Sequence, residues 1–435
     1  MNKGNNNQFR KDFLTLHDYD QGQFYLSLNQ EERRKLYTFL SPEEMGNLFE
    51  EIEEEHEGIE EYFAEMDTQY AADMLGSMFA DNAADILTQL KVLDQQKYLM
   101  LMPKQEAREV LELLDYEQKT AGSIMTTEFA FIYASQTIKE AMADIKQQAQ
   151  EAETIYYIYV VDEQGKLAGV LSLRELILQS DDELIRNIMG ERMISVTIDE
   201  DQENVAHTIR DYDLLAVPVV DLDNKLVGII TVDDIIDVID EEAASDYSGL
   251  AGVDVEERTE NPFVAATKRL PWLITLLFLG MGTSTLISRY ETLVSSASIL
   301  AVFISLITGT AGNAGTQSLA VAVRKLANKD EEKESNIKLI IDELITGLIS
   351  GVVTGVTIFL VVGIWKQNFV LGFVIGIAML CAITVANLAG SFIPILMDRI
   401  GFDPAVASGP FITTLSDLTS VFIYFSIASY FLAFF

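Results

Sequence analysis

The sequence predicts a multidomain membrane protein: an all-α N-terminal domain, an internally repeated α/β region, a connecting helix and a five-helix transmembrane domain. Three observations carry that expectation. Charge is divided sharply, because residues 1–269 hold 57 acidic against 22 basic side chains, a net of −35 in a chain totalling −37. From Leu270 onward the balance is 10 against 8. A stretch of about 20 residues recurs 59 positions later. Finally, apolar runs without charge occupy 270–288, 292–323, 344–365 and 367–397, and a fifth, 404–435, is interrupted only by Asp417. Each is long enough to cross a bilayer as a helix, which takes about 20 residues.

The charge excludes one class of partner. So acidic a surface repels phosphate backbones, so nucleic acid is not expected, whereas cations are. The single cysteine, Cys381, allows no intrachain disulfide and sits in an apolar run where it packs. The opening M-N-K-G-N-N-N-Q-F-R is polar, without the apolar core of a signal peptide, so the soluble part is expected in the cytosol. Catalysis is not expected. The histidines, His17, His56 and His207, all lie in the soluble part, so no spanning helix carries the H-E-x-x-H of an intramembrane metalloprotease. There is no nucleophile–histidine pair and no glycine-rich phosphate loop after a strand.

Residues 1–123 read as helical. Apolar residues fall at three- and four-residue spacing over Glu31–Leu40, Tyr70–Phe79, Ala83–Leu93 and Gln105–Leu114, with breaks at Ser41-Pro42, Gly58, Gly76 and Pro103. Beyond them the repeat begins. Ile158–Ile177 (I-Y-V-V-D-E-Q-G-K-L-A-G-V-L-S-L-R-E-L-I) aligns with Val217–Ile236 (V-P-V-V-D-L-D-N-K-L-V-G-I-I-T-V-D-D-I-I). Each copy reads as strand, turn, strand, helix. A helix precedes each, Ile138–Ala149 and Asn204–Asp211, and before that an Ile-Met pair, Ile124-Met125 or Ile188-Met189. The pattern resembles a tandem pair of CBS domains, 124–186 and 187–240. That resemblance implies a regulatory module sensing adenine nucleotides or metal ions, with Tyr157, Arg174 and Glu175 the candidate residues for ATP.

The polar, helix-prone segment 241–268 must link the repeat to the membrane. It is expected to hold a helix along the membrane surface with joints at Gly249 and Gly252. Flanking charge sets the orientation of the spans. Lys268, Arg269, Arg324, Lys325, Lys329, Lys333, Lys338 and Arg399 fall on one side against Arg289 and Lys366 on the other. The N-terminal domains are therefore expected in the cytosol and Phe435 outside, as an odd number of spans requires. Gly347, Gly351 and Gly355, like Gly372 and Gly376, are spaced for close helix packing in lipid. Asn313, Thr316 and Gln317 are polar in mid-span and need partners; they would either brace neighbouring helices or line a cavity, and bracing is the expected use. Asp417 is costly in a bilayer, by roughly 2.5–3.5 kcal/mol on insertion scales, and marks an ion path, a proton relay or a structural pair.

The whole arrangement resembles the MgtE family of magnesium channels. The motifs that carry the likeness are G-T-A-G-N-A-G-T-Q-S (309–318), A-N-L-A-G (386–390), G-F-D-P-A-V-A-S-G-P (401–410) with T-L-S-D-L-T (414–419), and E-A-E-T-I-Y-Y-I-Y-V-V-D (151–162). The resemblance implies a homodimer in the cytoplasmic membrane that imports Mg2+ and is closed by cytosolic Mg2+. It makes Asp417 the pore carboxylate that faces its symmetry mate across a hydrated ion, with Thr413 and Gly409 lining the same path. Gly409 stands where the family more often has asparagine. Asp403 matches an acid bridging the pore domain to the connecting helix. Glu242 and Asp246, Asp234 and Asp237, and Asp81 and Asp85 match metal-sensing acids, while Ser245 replaces a further one. Bound Mg2+ is then expected to draw mutually repelling acids together and lock the connecting helices on the pore. The alternative is a divalent-cation secondary transporter in which Asp417 carries protons and an adenine nucleotide regulates through the CBS pair.

Overall fold

The structure, a computed structural model, describes residues 3–50, 52, 58–150, 152–253, 262–327, 336–400, 402, 404 and 407–431. The chain divides into two compact units, Met1–Asp240 and Glu241–Phe435.

The first unit opens with helices α1 (Lys3–Phe13), α2 (Asp18–Leu26), α3 (Gln30–Leu36), α4 (Pro42–Glu50), α5 (Ile59–Glu65), α6 (Thr68–Leu75), α7 (Ala80–Thr88), α8 (Val92–Leu101) and α9 (Glu106–Leu114). Local chemistry starts several of them. Asn29 and Glu32 form a reciprocal capping box on α3, and Asp67 caps α6. The apolar periodicity expected over Ala83–Leu93 spans two helices, because the chain leaves α7 after Thr88 and turns extended at Lys91 before α8. Tyr25, Phe49, Tyr62, Phe63 and Tyr98 interlock edge to face at the centre of these helices. Beside them the Arg33–Glu65 ion pair, 2.5 Å apart, is shielded from solvent, and the guanidinium lies 4.8 Å from the Tyr62 ring.

The repeat follows as β1 (Phe129–Tyr133), α10 (Ile138–Gln148), β2 (Thr154–Val161), β3 (Leu167–Ser172), α11 (Leu173–Leu178) and α12 (Ile185–Ile188). Its second copy is β4 (Val196–Thr197), α13 (Gln202–Asp211), β5 (Ala216–Val220), β6 (Leu226–Thr231) and the start of α14 (Val232–Ala251). Both sheets have the same topology, a parallel pair and then an antiparallel one. The sequence offset reappears in the register: Val160 pairs with Gly169, and Val219 with Gly228. What precedes each copy, however, docks on the other. Thr126 exchanges hydrogen bonds with Ile229 at 2.9 and 3.0 Å, and Gly190 with Val170 at 3.0 and 3.2 Å. Met125 consequently lies over Gly228 and Met189 over Gly169, which accounts for the Ile-Met pairs.

α14 runs unbroken through Gly249, so the first expected joint is absent, while Gly252 ends the helix in a left-handed conformation. Residues 254–261 lie outside the described residues. The first spanning helix, α15 (Pro262–Arg289), begins earlier than expected, with Pro262 suited to a first helical turn. A short α16 (Glu291–Ser296) and a 3₁₀ turn (Ser298–Phe303) lead into α17 (Ile304–Ala327), followed by α18 (Asn336–Trp365), α19 (Phe369–Arg399) and α20 (Gly409–Tyr430). Among the described residues, five helices are thus long and apolar enough to cross a membrane. α19 is the hub, burying residues from Leu371 to Ile395, whereas α15 buries none. α18 crosses α19 where Gly355 meets Gly376: a Cβ on either glycine would lie 2.6 Å from the other's carbonyl oxygen. The glycine spacing in the sequence is therefore a packing interface.

Candidate functional site

Two carboxylate centres emerge, one in each unit. In the first unit α7 begins without a side-chain cap of its own. Glu50 and Glu128 supply one instead, accepting from Phe79 N and Ala80 N at 3.2 Å each. Glu128 also accepts from the Thr126 and Thr127 hydroxyls at 3.0 and 3.1 Å. Anions at a helix N-terminus are favourable, and α7 draws acids for that reason.

Asp81, in the first turn of α7, is 6% exposed, and its Oδ1 has no hydrogen-bond partner. Burial pushes its carboxyl well above the ordinary range, and Asp234, Glu153 and Glu128 add to the shift. Glu153 enters just before β2, and its Oε2 is also buried without a partner. Burial, then Asp234 and Asp233, push it up to about 7. Asp234 stands in the first turn of α14 and accepts from both the amide and the hydroxyl of Thr231. Burial pushes it up to about 6 against the downward pull of those bonds, with Asp233 and Asp237 adding to the rise. Oxygens of Glu153, Asp233 and Asp234 lie within 4.8 Å of one another.

Crowded, desolvated carboxylates of this kind require protons or a cation. An all-oxygen set suits a hard divalent ion such as Mg2+ or Ca2+. The orphaned oxygens of Asp81 and Glu153 supply unused donors, so the residues fit a metal.

Of the expected acids, Asp81 and Asp234 come together and Asp237 stands close by, whereas Asp85 is exposed one turn further along α7. Glu153, Glu128 and Asp233 were not singled out by the sequence. Glu242 and Asp246 lie one turn apart on α14, in the membrane unit. Asp403 lies outside the described residues. Tyr157 pairs with Ser172 across β2 and β3, and Arg174 is exposed just beyond. Glu175 is engaged in a capping box, accepting from Ser172 N and Oγ at 2.8 Å each.

The second centre is Asp417, half-buried in α20 and without a hydrogen bond or ion pair among the described residues. α20 crosses α17 where Gly312 meets the Thr413 methyl and Gly315 meets Ser416. The Thr413 hydroxyl bonds back to the Gly409 carbonyl at 2.9 Å, one turn before. Asn313 and Gln317 do not brace neighbouring helices as expected. Both are exposed on α17, and Ser318 does the bracing, donating to the Asn387 carbonyl of α19 at 2.8 Å. A further buried acid, Glu343 of α18, accepts from the Asn387 amide at 3.5 Å.

A multi-pass membrane bundle joined to a carboxylate-bearing CBS pair and an acidic helical domain defines a class of cation transporters. Family models agree segment by segment: a divalent cation transporter domain over 304–427, the MgtE intracellular N domain over 16–119, and CBS domains over 121–181 and 185–241. The chain is 66% identical over 429 residues to the magnesium transporter MgtE of Enterococcus faecalis, covering 99% of this chain and 95% of that one. It is 40% identical over 360 residues to the magnesium transporter MgtE of Bacillus subtilis, covering 82% and 80% respectively. The crystal structure of the soluble part of a magnesium transporter matches with 56% identity and a TM-score of 0.54, over 55% of this chain and 94% of that one. The chain belongs to the MgtE family of magnesium transporters.

Proposed function

We propose that this chain carries Mg2+ across the cytoplasmic membrane along a path at Asp417 and shuts that path when cytosolic Mg2+ is plentiful. The observation that carries the reading is Asp417 itself: a spanning-helix carboxylate with no partner among the described residues, beside a helix that exposes Asn313 and Gln317. In lipid such groups need water or a second copy of the chain. A homodimer provides both, setting two Asp417 carboxylates across a hydrated ion whose water shell they accept from. Mg2+ sheds water reluctantly, so carboxylates that bind the shell suit it.

Regulation falls to the acidic unit. Asp81, Glu153, Asp233 and Asp234 hold a divalent cation, and their repulsion is thereby relieved. Asp237, Glu242 and Asp246 extend the acids along α14, which transmits the change to the pore. Such control is a population shift, because the cation favours only the conformation in which the acids converge. The soluble unit lies in the cytosol and the C-terminus outside. ATP is a second ligand, received beside Tyr157 and Arg174; the capping role of Glu175 limits how far that carboxylate can turn to a ribose.

The test is Mg2+ flux in proteoliposomes. Asp417→Ala is expected to abolish it and Asp417→Asn to reduce it strongly, and wild-type rates in both would overturn the path. Single-channel events at fixed pH are expected, whereas flux that requires a proton gradient would favour the secondary transporter. Closure at millimolar internal Mg2+ should vanish when Asp234, Asp237, Glu242 and Asp246 are neutralised together.

A further inference from the structure

We infer that Gly252 and Trp272 form a latch that positions the end of α14 on the mouth of α20 and sets how much Mg2+ is needed to hold the path shut. The inference rests on the reading that α14 transmits closure.

The end of α14 is a defined structure. Gly252 N donates to Gly249 O at 3.2 Å and Val253 N to Ser248 O at 3.1 Å, the paired bonds of a Schellman termination. Gly252 sits at φ +66, where an L side chain strains the backbone. Space forbids a side chain independently. A Cβ at Gly252 would lie 2.5 Å from Trp272 Nε1, 3.0 Å from Trp272 Cδ1 and 3.4 Å from Ser408 Cβ. The indole edge of α15 thus occupies the place a side chain would take, directly beside the residue that precedes α20.

One residue earlier the same chain end makes a second contact. Leu250 packs with Leu319 and Val323 of α17 and with Ala407 and Ile412. Its carbonyl oxygen faces Gly409, where a Cβ would approach to 3.1 Å. Three spanning helices are therefore referenced to one turn of α14, at the end of α20 that leads to Asp417.

The contact is held by shape rather than by hydrogen bonds. Trp272 Nε1 and Ser408 Oγ are both buried without a partner. Unpaired buried polar atoms weaken the arrangement they belong to. A latch of this kind engages through close packing yet releases without breaking a polar bond, which suits a gate that must open when Mg2+ falls.

The chain has two tryptophans, so Trp365→Phe leaves Trp272 as the sole indole reporter. In that background, full-length protein in liposomes is titrated with MgCl2 while Trp272 emission and Mg2+ flux are followed together. In the unsubstituted latch the emission should shift with the same midpoint as closure. Gly252→Ala should raise the Mg2+ needed for half-closure by on the order of fivefold or more, with flux at low internal Mg2+ retained. Trp272→Ala should act in the same direction. Trp272→Ala relieves the clash but leaves the backbone strain at φ +66, so Gly252→Ala should raise the half-closing Mg2+ by less in the Trp272→Ala background than it does alone. Unchanged closure in both single variants overturns the latch while leaving regulation intact, as does a loss of flux that no Mg2+ level alters. Failure of Trp365→Phe protein itself to close with Mg2+ would instead overturn the regulatory reading on which the latch depends.

Discussion

Met125 lies across Gly228, in the half of the repeat opposite the one its own sequence introduces. A Cβ at Gly228 would fall 2.6 Å from Met125 Sδ and 2.7 Å from the Thr126 carbonyl oxygen. The mirror contact is looser: at Gly169 a Cβ would fall 2.9 Å from Met189 Sδ and 3.1 Å from the Gly190 carbonyl oxygen. A methionine can rotate aside, but a carbonyl fixed in a two-way exchange of hydrogen bonds cannot. Gly228→Ala should therefore destabilise the soluble unit by about 1–3 kcal/mol, and Gly169→Ala by less. Urea unfolding of the full chain, followed by far-UV signal from the soluble transition, should rank the two variants in that order.

The carboxylate group makes stability depend on pH in an unusual direction. Glu153 is pushed up to about 7 and Asp234 up to about 6, so the folded chain keeps protons that the unfolded chain releases in the ordinary carboxylate range. Stability is thus full below that range and drains as pH rises through 6 to 7. With divalent ions chelated, the calorimetric transition of the soluble unit should fall between pH 5 and 7.5, by on the order of 2 kcal/mol. Saturating Mg2+ should flatten the slope, because the cation replaces the protons. Glu153→Gln should flatten it as well, without needing the metal. A transition that rises with pH would contradict the arrangement.

Much of this fold was legible because its signals are local. The 59-residue offset passes straight into the strand register, and the five apolar runs become five long helices. The site was legible only in part. Asp81 and Asp234 stand in recognisable motifs, but Glu153 is one acid ahead of a strand in a chain full of surface acids. Its importance comes from burial against α7 and α14, elements distant in sequence, which no local pattern records. The exchange of leader segments was hidden for the same reason, since the Ile-Met pairs specify a contact without naming the sheet that receives it. Asn313 and Gln317 announced a need for partners but not their direction. Their exposure on α17 turns an expected internal brace into a polar face.

Glu343 carries no sequence signal of burial, because it falls at the edge of an apolar run and resembles an ordinary end-of-span charge. The structure buries it to 9% exposure with the Asn387 amide as its hydrogen-bond donor. Asn387 in turn receives the Ser318 hydroxyl on its backbone carbonyl, so α17, α18 and α19 meet at one residue. Removing the amide leaves a buried carboxyl oxygen without its donor, which costs about 1–3 kcal/mol or more where the group is charged. Asn387→Ala should therefore lower the thermal stability of the detergent-solubilised membrane unit. Glu343→Gln keeps the size and can still accept from Asn387, so it should change stability little. The double variant Glu343→Leu with Asn387→Ala, which removes both polar partners, should recover part of the loss seen in Asn387→Ala alone. If Asn387→Ala proves as stable as the parent, the pair is only adjacent, and the three helices are held by their glycine crossings instead.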